Sequence, residues 1–173
     1  ANAIIYAEDN FVEINALSEI SDMTKNYRLK RDVEYTYTNS FAKEFTGKLD
    51  GNGATISYGS TADFVPLFST IGSGAEVYNL RIKPMQDSQV SYTIDVTSNT
   101  HFGLLAEKMA DAKVYCISIE NVNLVLKDNT DIIDLNPEIS IGLLVGQASG
   151  AQINQIRISN CKINSLKTTI DGE

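Results

Sequence analysis

The feature that most constrains this chain is an internal repeat of a few dozen residues. Three copies are anchored by Ala75, Ala112 and Ala151, which are separated by 37 and 39 residues. Each anchor is followed by apolar residues at positions +2, +5 and +7. A repeat of this length is typical of stacked, quasi-one-dimensional architectures. The sequence therefore predicts an all-β solenoid, and the spacing of two and three within each copy predicts two strands that meet at a corner.

The equivalent apolar residues predict three ladders in the core. Parallel strands in successive layers lie about 4.8 Å apart, so residues at the same repeat position should be direct neighbours if one repeat forms one layer. If one repeat forms two layers, other residues should interleave. The expected ladders are Val77, Val114 and Ile153; Leu80, Ile117 and Ile156; and Ile82, Ile119 and Ile158.

The N-terminal part of the chain, residues 11–33, is expected to form a cap and a first strand. Asn15 should cap a short helix with Leu17, Ile20 and Met23 or Thr24 on one face. The segment from Tyr27 to Val33 predicts a strand with Tyr27 and Leu29 on its apolar side. A helix here would cover the apolar row and unpaired edge groups that the first layer of a solenoid exposes.

The chain after residue 44 contains a glycine turn and two inserts between the repeats. Residues 45–56 predict a strand, a tight turn and a strand, with Gly51 and Gly53 supplying positive φ at the turn. Two inserts separate the repeats, residues 83–100 and 127–140. The first contains Tyr92, Ile94 and Val96 alternating with polar residues, which predicts a half-buried strand. The second is acidic and predicts a loop.

Two motifs carry a resemblance to a known family. The first is Phe45-Thr46-Gly47-Lys48-Leu49-Asp50-Gly51-Asn52-Gly53-Ala54-Thr55-Ile56, followed by Gly-Leu-Leu and Ala-x-Val/Ile-x-x-Ile/Leu-x-Ile. The second is the strand Asn26-Tyr27-Arg28-Leu29-Lys30-Arg31-Asp32-Val33. Together they resemble the GLUG-type repeats of bacterial surface and secreted proteins, and are similar to N-terminal non-catalytic regions of streptococcal immunoglobulin-A-protease-type metallopeptidases. The first copy departs from the pattern at Pro66, where a glycine is usual.

The resemblance covers roughly residues 11–164 and implies a right-handed parallel β-helix (solenoid) with a short N-terminal capping helix. We expect a single domain over residues 1–173, with the repeats in 45–164, that is a piece of a longer bacterial protein. Such a module would be secreted or displayed on the cell surface. Fold alone does not assign a function, so the site residues must be weighed separately.

Charge and composition narrow the function classes. The formal net charge is −8, which disfavours a nucleic-acid role because phosphate binding depends on Lys and Arg. No apolar run approaches the ~20 residues that span a bilayer, so membrane insertion is not expected. Cys116 and Cys161 occupy different positions in neighbouring repeats, which favours two buried free thiols over a disulfide.

The sequence predicts no catalytic centre. Asn129-Thr130-Asp131 and Arg81-Ile82-Lys83 match two short polygalacturonase motifs, but in the wrong order and without the paired aspartates and the Gly-His-Gly of that site. His101 is the single histidine, no Ser or Cys nucleophile context accompanies it, and no His-Glu-x-x-His motif is present. A non-enzymatic module is therefore expected. A carbohydrate-active β-helix enzyme and an accessory domain of a large secreted protease or toxin remain alternatives.

No metal or cofactor is expected. Asp50-Gly51-Asn52-Gly53 resembles the start of a calcium loop, but the remaining ligands of such a loop do not follow. Asp128, Asp131, Asp134 and Glu138 form an acidic loop in which calcium is conceivable, although spaced acids on a loop are more often solvated.

One candidate contact surface emerges from the repeat. Tyr78 and Tyr115 share a position three residues after the anchor, with Asn154 third, and should form a row on the outer face. Arg81, Lys83 and Arg157 are expected to flank this row. Such a patch suits a host protein or an anionic glycan, because rings supply apolar contact and guanidinium groups direct anions. The alternative is that the tyrosines are present simply as good strand formers.

Overall fold

The computed structural model describes residues 10–60, 64–96, 100–128 and 138–166, and in these ranges the chain is nearly all β. The described strands are β1 (Phe11–Ile14), β2 (Asn26–Leu29), β3 (Glu34–Tyr37), β4 (Lys48–Asp50), β5 (Thr55–Tyr58), β6 (Phe68–Ile71), β7 (Glu76–Ile82), β8 (Val90–Val96), β9 (Thr100–Phe102), β10 (Ala106–Ala110), β11 (Lys113–Glu120), β12 (Val122–Asp128), β13 (Ile139–Ile141), β14 (Val145–Ser149), β15 (Gln152–Ser159) and β16 (Lys162–Leu166).

The strands form parallel sheets, and all strand pairs between described residues are parallel. The largest sheet has the order β1-β2-β4-β7-β11-β15. In the same sheet β5 also pairs with β7, and β3 pairs with β5. The other sheets are β6-β10-β14, β8-β12-β16 and β9-β13. Each repeat therefore adds one strand to each sheet. One repeat forms one layer, and not two.

The predicted ladders are confirmed in their register. Val77 pairs with Val114 and Val114 with Ile153, and the two other ladders continue in the same alignment. In β7 and β11 the ladder residues are between 0% and 7% exposed. Ile153 and Ile158 are 38% and 49% exposed, against the predicted interior position. They lie on β15, whose other edge has no neighbour among the described strands.

Each copy bends at a residue in the left-handed backbone conformation. Asn79, Cys116 and Gln155, all four residues after the anchor alanine, have φ values of 55°, 55° and 54°. Along β7, half-buried Tyr78 and exposed Asn79 are consecutive, and burial alternates on either side of them. Interrupting the alternation by one residue turns the strand, as in a β-bulge. The bend predicted between positions +2 and +5 is therefore present, but the prediction of two separate strands is wrong, because each copy forms one continuous strand.

The predicted N-terminal capping helix is wrong. Among the described residues the chain forms a single 3-10 turn, Leu17–Glu19, and Asn15 does not cap it through its side chain. Instead, the Glu19 carboxylate accepts hydrogen bonds from the backbone N–H groups of Asn15 and Ala16, at 2.6 and 2.7 Å. With these bonds the chain makes a single 3-10 turn and does not continue into a helix. Leu17 and Ile20 are nevertheless buried, as predicted.

The strand of the resemblance motif is confirmed over Asn26–Leu29, with Tyr27 and Leu29 buried. Its predicted continuation to Val33 is wrong, because residues 30–33 form a turn in which Asp32 has a φ of 64°. Pro66 does not disturb the first copy, because Leu67 and Phe68 donate backbone hydrogen bonds to Leu104 and Leu105 of the next copy. The insert strand is also confirmed as β8, in which Tyr92, Ile94 and Val96 are buried.

The turn after Asp50 is a corner between two strands that do not pair with each other. β4 pairs with β2 and β7, while β5 pairs with β3 and β7, so the two do not form a hairpin. Asn52 and Gly53 supply the positive φ, at 49° and 78°. Gly51 is required for another reason than predicted. A Cβ there would lie 2.4 Å from the carbonyl oxygen of Asn79 on the adjacent strand.

Candidate functional site

The predicted tyrosine row is formed by β7 and β11. Tyr78 and Tyr115 are direct register neighbours, with ring centroids 4.9 Å apart and an interplanar angle of 0°. Both side chains are half-buried, so one part of each ring stays accessible. Asp50 precedes Tyr78 and Asn154 follows Tyr115 in the same column. We call this column, from Asp50 to Asn154, the tyrosine face.

Partial burial and nearby carboxylates raise the pKa of both tyrosines. The Tyr115 hydroxyl donates to Oε1 of Glu76 at 3.4 Å. Partial burial, followed by the charge of Glu76, raises the pKa of Tyr115 to about 12. Partial burial and the charge of Asp50 raise the pKa of Tyr78 as well. The face therefore presents two neutral rings with hydroxyl groups at physiological pH.

The charges that flank this face differ from the predicted ones. The Lys48 ammonium lies 3.1 Å from the Glu76 carboxylate, and the Arg28 guanidinium lies 3.0 Å from that of Asp50. The same guanidinium sits 4.5 Å from the centre of the Phe11 ring. The basic groups next to the rings are thus Lys48 and Arg28, each paired with an acid.

The predicted basic residues lie on the far side of the bend. Arg81 and Arg157 line a groove of about 690 Å³ together with Ser118, and Arg31 lies in the same groove. Arg81, Ser118 and Arg157 are register neighbours on β7, β11 and β15. Lys83 is separate: its side chain is 18% exposed and pairs with Asp87 at 3.7 Å. The structure therefore divides the predicted patch into the tyrosine face and an arginine groove.

The bend residues line the same groove as the arginines. Cys116 donates from its thiol to Oε1 of Gln155 at 2.7 Å, and both residues line the groove with Asn79. Both cysteines are free, as predicted, but each is half-exposed and not buried. The sequence signal for this column was the Asn at position +4 of the first copy, since Asn adopts positive φ more readily than most residues.

A second polar cluster surrounds the histidine. Nδ1 of His101 lies 2.6 Å from Oγ of Ser140, and Nε2 lies 3.8 Å from the Glu138 carboxylate. His101 and Ser140 are register neighbours on β9 and β13. Sequence reasoning missed this contact, although the two residues are 39 apart, the same offset as Ala112 and Ala151. The backbone N–H of Gly142 donates to the Phe102 carbonyl and is not free to stabilise an oxyanion.

No group of three or more potential metal ligands occurs among the described residues. The acidic loop considered for calcium lies largely outside them, since residues 129–137 are not described. Asp50 is engaged elsewhere, because its carboxylate pairs with Arg28 and accepts a hydrogen bond from the Asn52 backbone N–H. Within the described ranges, no helix has the length and apolar character needed to cross a membrane.

Three comparisons with known proteins gave no match. A scan against protein-family models gives no match, and neither the search of curated proteins nor that of solved structures gives one.

Proposed function

We propose that this chain is a non-enzymatic, right-handed parallel β-helix module of a secreted or surface-attached bacterial protein, and that it contacts a host molecule through the tyrosine face. The parallel pairing of every repeat with the next supports the solenoid, because β-helices are built from such stacked layers. The handedness and the bacterial surface location follow from the GLUG resemblance.

The observation that carries the contact role is the stacking of Tyr78 on Tyr115. The two parallel rings, 4.9 Å apart, lie next to each other on adjacent strands, and both remain half-exposed. Tyrosine is enriched at interaction hot spots because a rigid ring offers a large contact area with a polar tip. Covering each ring would contribute on the order of 1–2 kcal/mol, near the threshold for a hot spot.

The neighbouring ion pairs make the face selective. Glu76 and Asp50 each lie beside a tyrosine and are already paired with Lys48 and Arg28. A partner that brings hydroxyl or amide groups can bond to the phenols without leaving a buried charge unpaired. A host glycan or the polar surface of a host protein fits this description.

The test is a double substitution, Tyr78→Ser with Tyr115→Ser. The variant must first show an unchanged circular dichroism spectrum. We expect the folded variant to bind host cells or matrix at least about tenfold more weakly than the wild type, which corresponds to one lost hot-spot contact. Unaltered binding would remove the tyrosine face from consideration.

Two other functions compete with this proposal. An accessory domain of a large secreted protease or toxin would share the fold and bind nothing alone. A hydrolase draws support from the contact between Ser140 and His101. Against it, the Glu138 carboxylate is 75% exposed and 3.8 Å from the imidazole, which is too loose to orient a catalytic base.

A further inference from the structure

The arginine groove has the chemistry of an anion site. Arg81 and Arg157 flank Ser118 in register, one strand position on each side. With strands about 4.8 Å apart, the two arginine Cα atoms are separated by roughly 10 Å, so both guanidinium groups can reach an oxyanion above the serine. Guanidinium groups bind carboxylate and sulfate oxygens with two parallel hydrogen bonds.

The groove offers hydrogen-bond donors besides its arginines. The Ser118 hydroxyl has no hydrogen-bond partner among the described residues and is half-exposed. Gln155 uses its amide oxygen to accept from Cys116, which leaves its amide NH₂ directed to solvent or a ligand. Asn79 adds another amide to the lining. A ligand that carries acceptor oxygens can therefore bond to several of these groups at once.

We propose that this groove binds an anionic glycan lying across the strands, with a carboxylate or sulfate group held between Arg81 and Arg157 above Ser118. Sugar hydroxyls and ring oxygens would then accept from the amides of Asn79 and Gln155. This inference shares the binding role of the proposed function but places it on a different surface from the tyrosine face.

A glycan fits the groove better than an acidic peptide does. Peptides are recognised by pairing with a free strand edge, by apolar pockets for side chains or, when they carry acidic motifs, by arginine clusters. β7 and β11 each lie between two paired strands, so they offer no free edge within the groove. The outer edge of β15 has no neighbour among the described strands, but a peptide paired there would lie along that strand and not across the groove. The apolar residues that line the groove, Leu80 and Ile117, are each 1% exposed and form no such pocket.

Glu120 competes with the ligand for one arginine. Its carboxylate lies 3.0 Å from the Arg81 guanidinium, and the two side chains are 28% and 47% exposed. An exposed pair of this kind is weak, so a ligand oxyanion can replace the carboxylate. Removing the Glu120 charge should free Arg81 and strengthen binding.

The experiment measures binding by isothermal titration calorimetry with the full chain. The probes are an oligogalacturonate and a heparin-derived oligosaccharide, with a neutral dextran oligosaccharide and poly-glutamate as comparisons. Arg157→Gln should weaken binding of an acidic oligosaccharide by about tenfold or more, the usual effect of losing a charge-assisted hydrogen bond. Glu120→Gln should tighten it. Lys113→Gln is the matched control, because Lys113 is exposed on β11 outside the groove and its loss changes the net charge equally.

Several results would overturn the assignment. One is the absence of binding to both acidic oligosaccharides by the folded wild type. Another is an equal loss in the Arg157→Gln and Lys113→Gln variants, which would indicate a general charge effect. Tighter binding of poly-glutamate than of either glycan would make the occupant a peptide. Loss of acidic glycan binding in the Tyr78→Ser, Tyr115→Ser variant but not in Arg157→Gln would reject the groove and retain the tyrosine face.

Discussion

Tyr78 and Tyr115 are 37 residues apart in the sequence, and their rings stack in parallel with centroids 4.9 Å apart. The contact arises because equivalent positions of successive repeats are adjacent in a parallel sheet. The same relationship builds the core ladders on the inner side of the strands. The outer face and the core therefore depend on the same register, which makes each a check on the other.

The ionisation of Tyr115 provides one such check. Its pKa is raised to about 12 by partial burial and by Glu76, above the ordinary value of 10.0. Since folding favours the protonated ring, this contribution to stability is present below about pH 10 and is lost as the pH rises towards 12. The tyrosinate absorbance of the wild type is measured against pH, and that of the Tyr115→Phe variant is subtracted from it. The difference should show a transition near pH 12. A transition near pH 10 would mean that the ring is more solvated and farther from Glu76 than the structure has it.

The ladder predicts that the same substitution destabilises the fold by very different amounts at two register neighbours. Ile119 is 0% exposed and Ile158, its neighbour on β15, is 49% exposed. Ile119→Asp should abolish cooperative folding, because an unpaired charge in the core costs a large part of a stability of about 5–15 kcal/mol. Ile158→Asp should cost less than about 1 kcal/mol, as surface substitutions usually do. Urea unfolding measures both, and similar losses in the two variants would contradict the assigned layers.

The two turn glycines should respond differently to alanine. A Cβ at Gly51 would lie 2.4 Å from a backbone oxygen, whereas one at Gly53 would meet nothing within 4 Å. Gly53→Ala should cost about 1–2 kcal/mol through its positive φ alone. Gly51→Ala should cost more, because β4 and β7 must separate to relieve the clash. Thermal unfolding compares the pair, and a more damaging Gly53→Ala would contradict the close approach at Gly51.

Ser140 is expected to be unreactive despite its contact with His101. It lies within β13, and the nearby Gly142 N–H already donates to Phe102, so an attacking hydroxyl would find no prepared oxyanion site there. A serine-directed fluorophosphonate should leave the protein unlabelled, and polysaccharide and peptide substrates should not be turned over. Labelling that disappears in both Ser140→Ala and His101→Ala would establish a hydrolase instead.

The repeat made the ladders predictable. Val77, Val114 and Ile153 have identical offsets from their anchors, and stacking converts identical offsets into direct pairing. The exposure of Ile153 was not predictable in this way, because a periodic pattern does not reveal which layer has a neighbour on each side. The pairing of His101 with Ser140 was predictable but missed, because these residues are 39 apart, as are Ala112 and Ala151.

The helix prediction failed because Leu17 and Ile20 satisfy two structures equally well. A spacing of three places both side chains on one side of a helix and also of a single 3-10 turn. In the structure the backbone N–H groups of Asn15 and Ala16 donate to the Glu19 carboxylate, which holds the chain in the single turn. The separation of the arginine groove from the tyrosine face was not predictable from the sequence for a related reason. Cys116 and Gln155 are not residues that favour positive φ, so the bend that separates Arg81 from Tyr78 had no signal at those positions.

The most direct test of the central claim is a hydroxyl-radical footprint of the wild-type chain, free and bound to host cell-surface or matrix material. This measurement locates the contact surface without any substitution that could disturb the fold. We predict that oxidation of Tyr78 and Tyr115 falls on binding, while that of Tyr58, on β5, is unchanged. Unchanged oxidation of both Tyr78 and Tyr115, with protection elsewhere on the chain, would contradict the account.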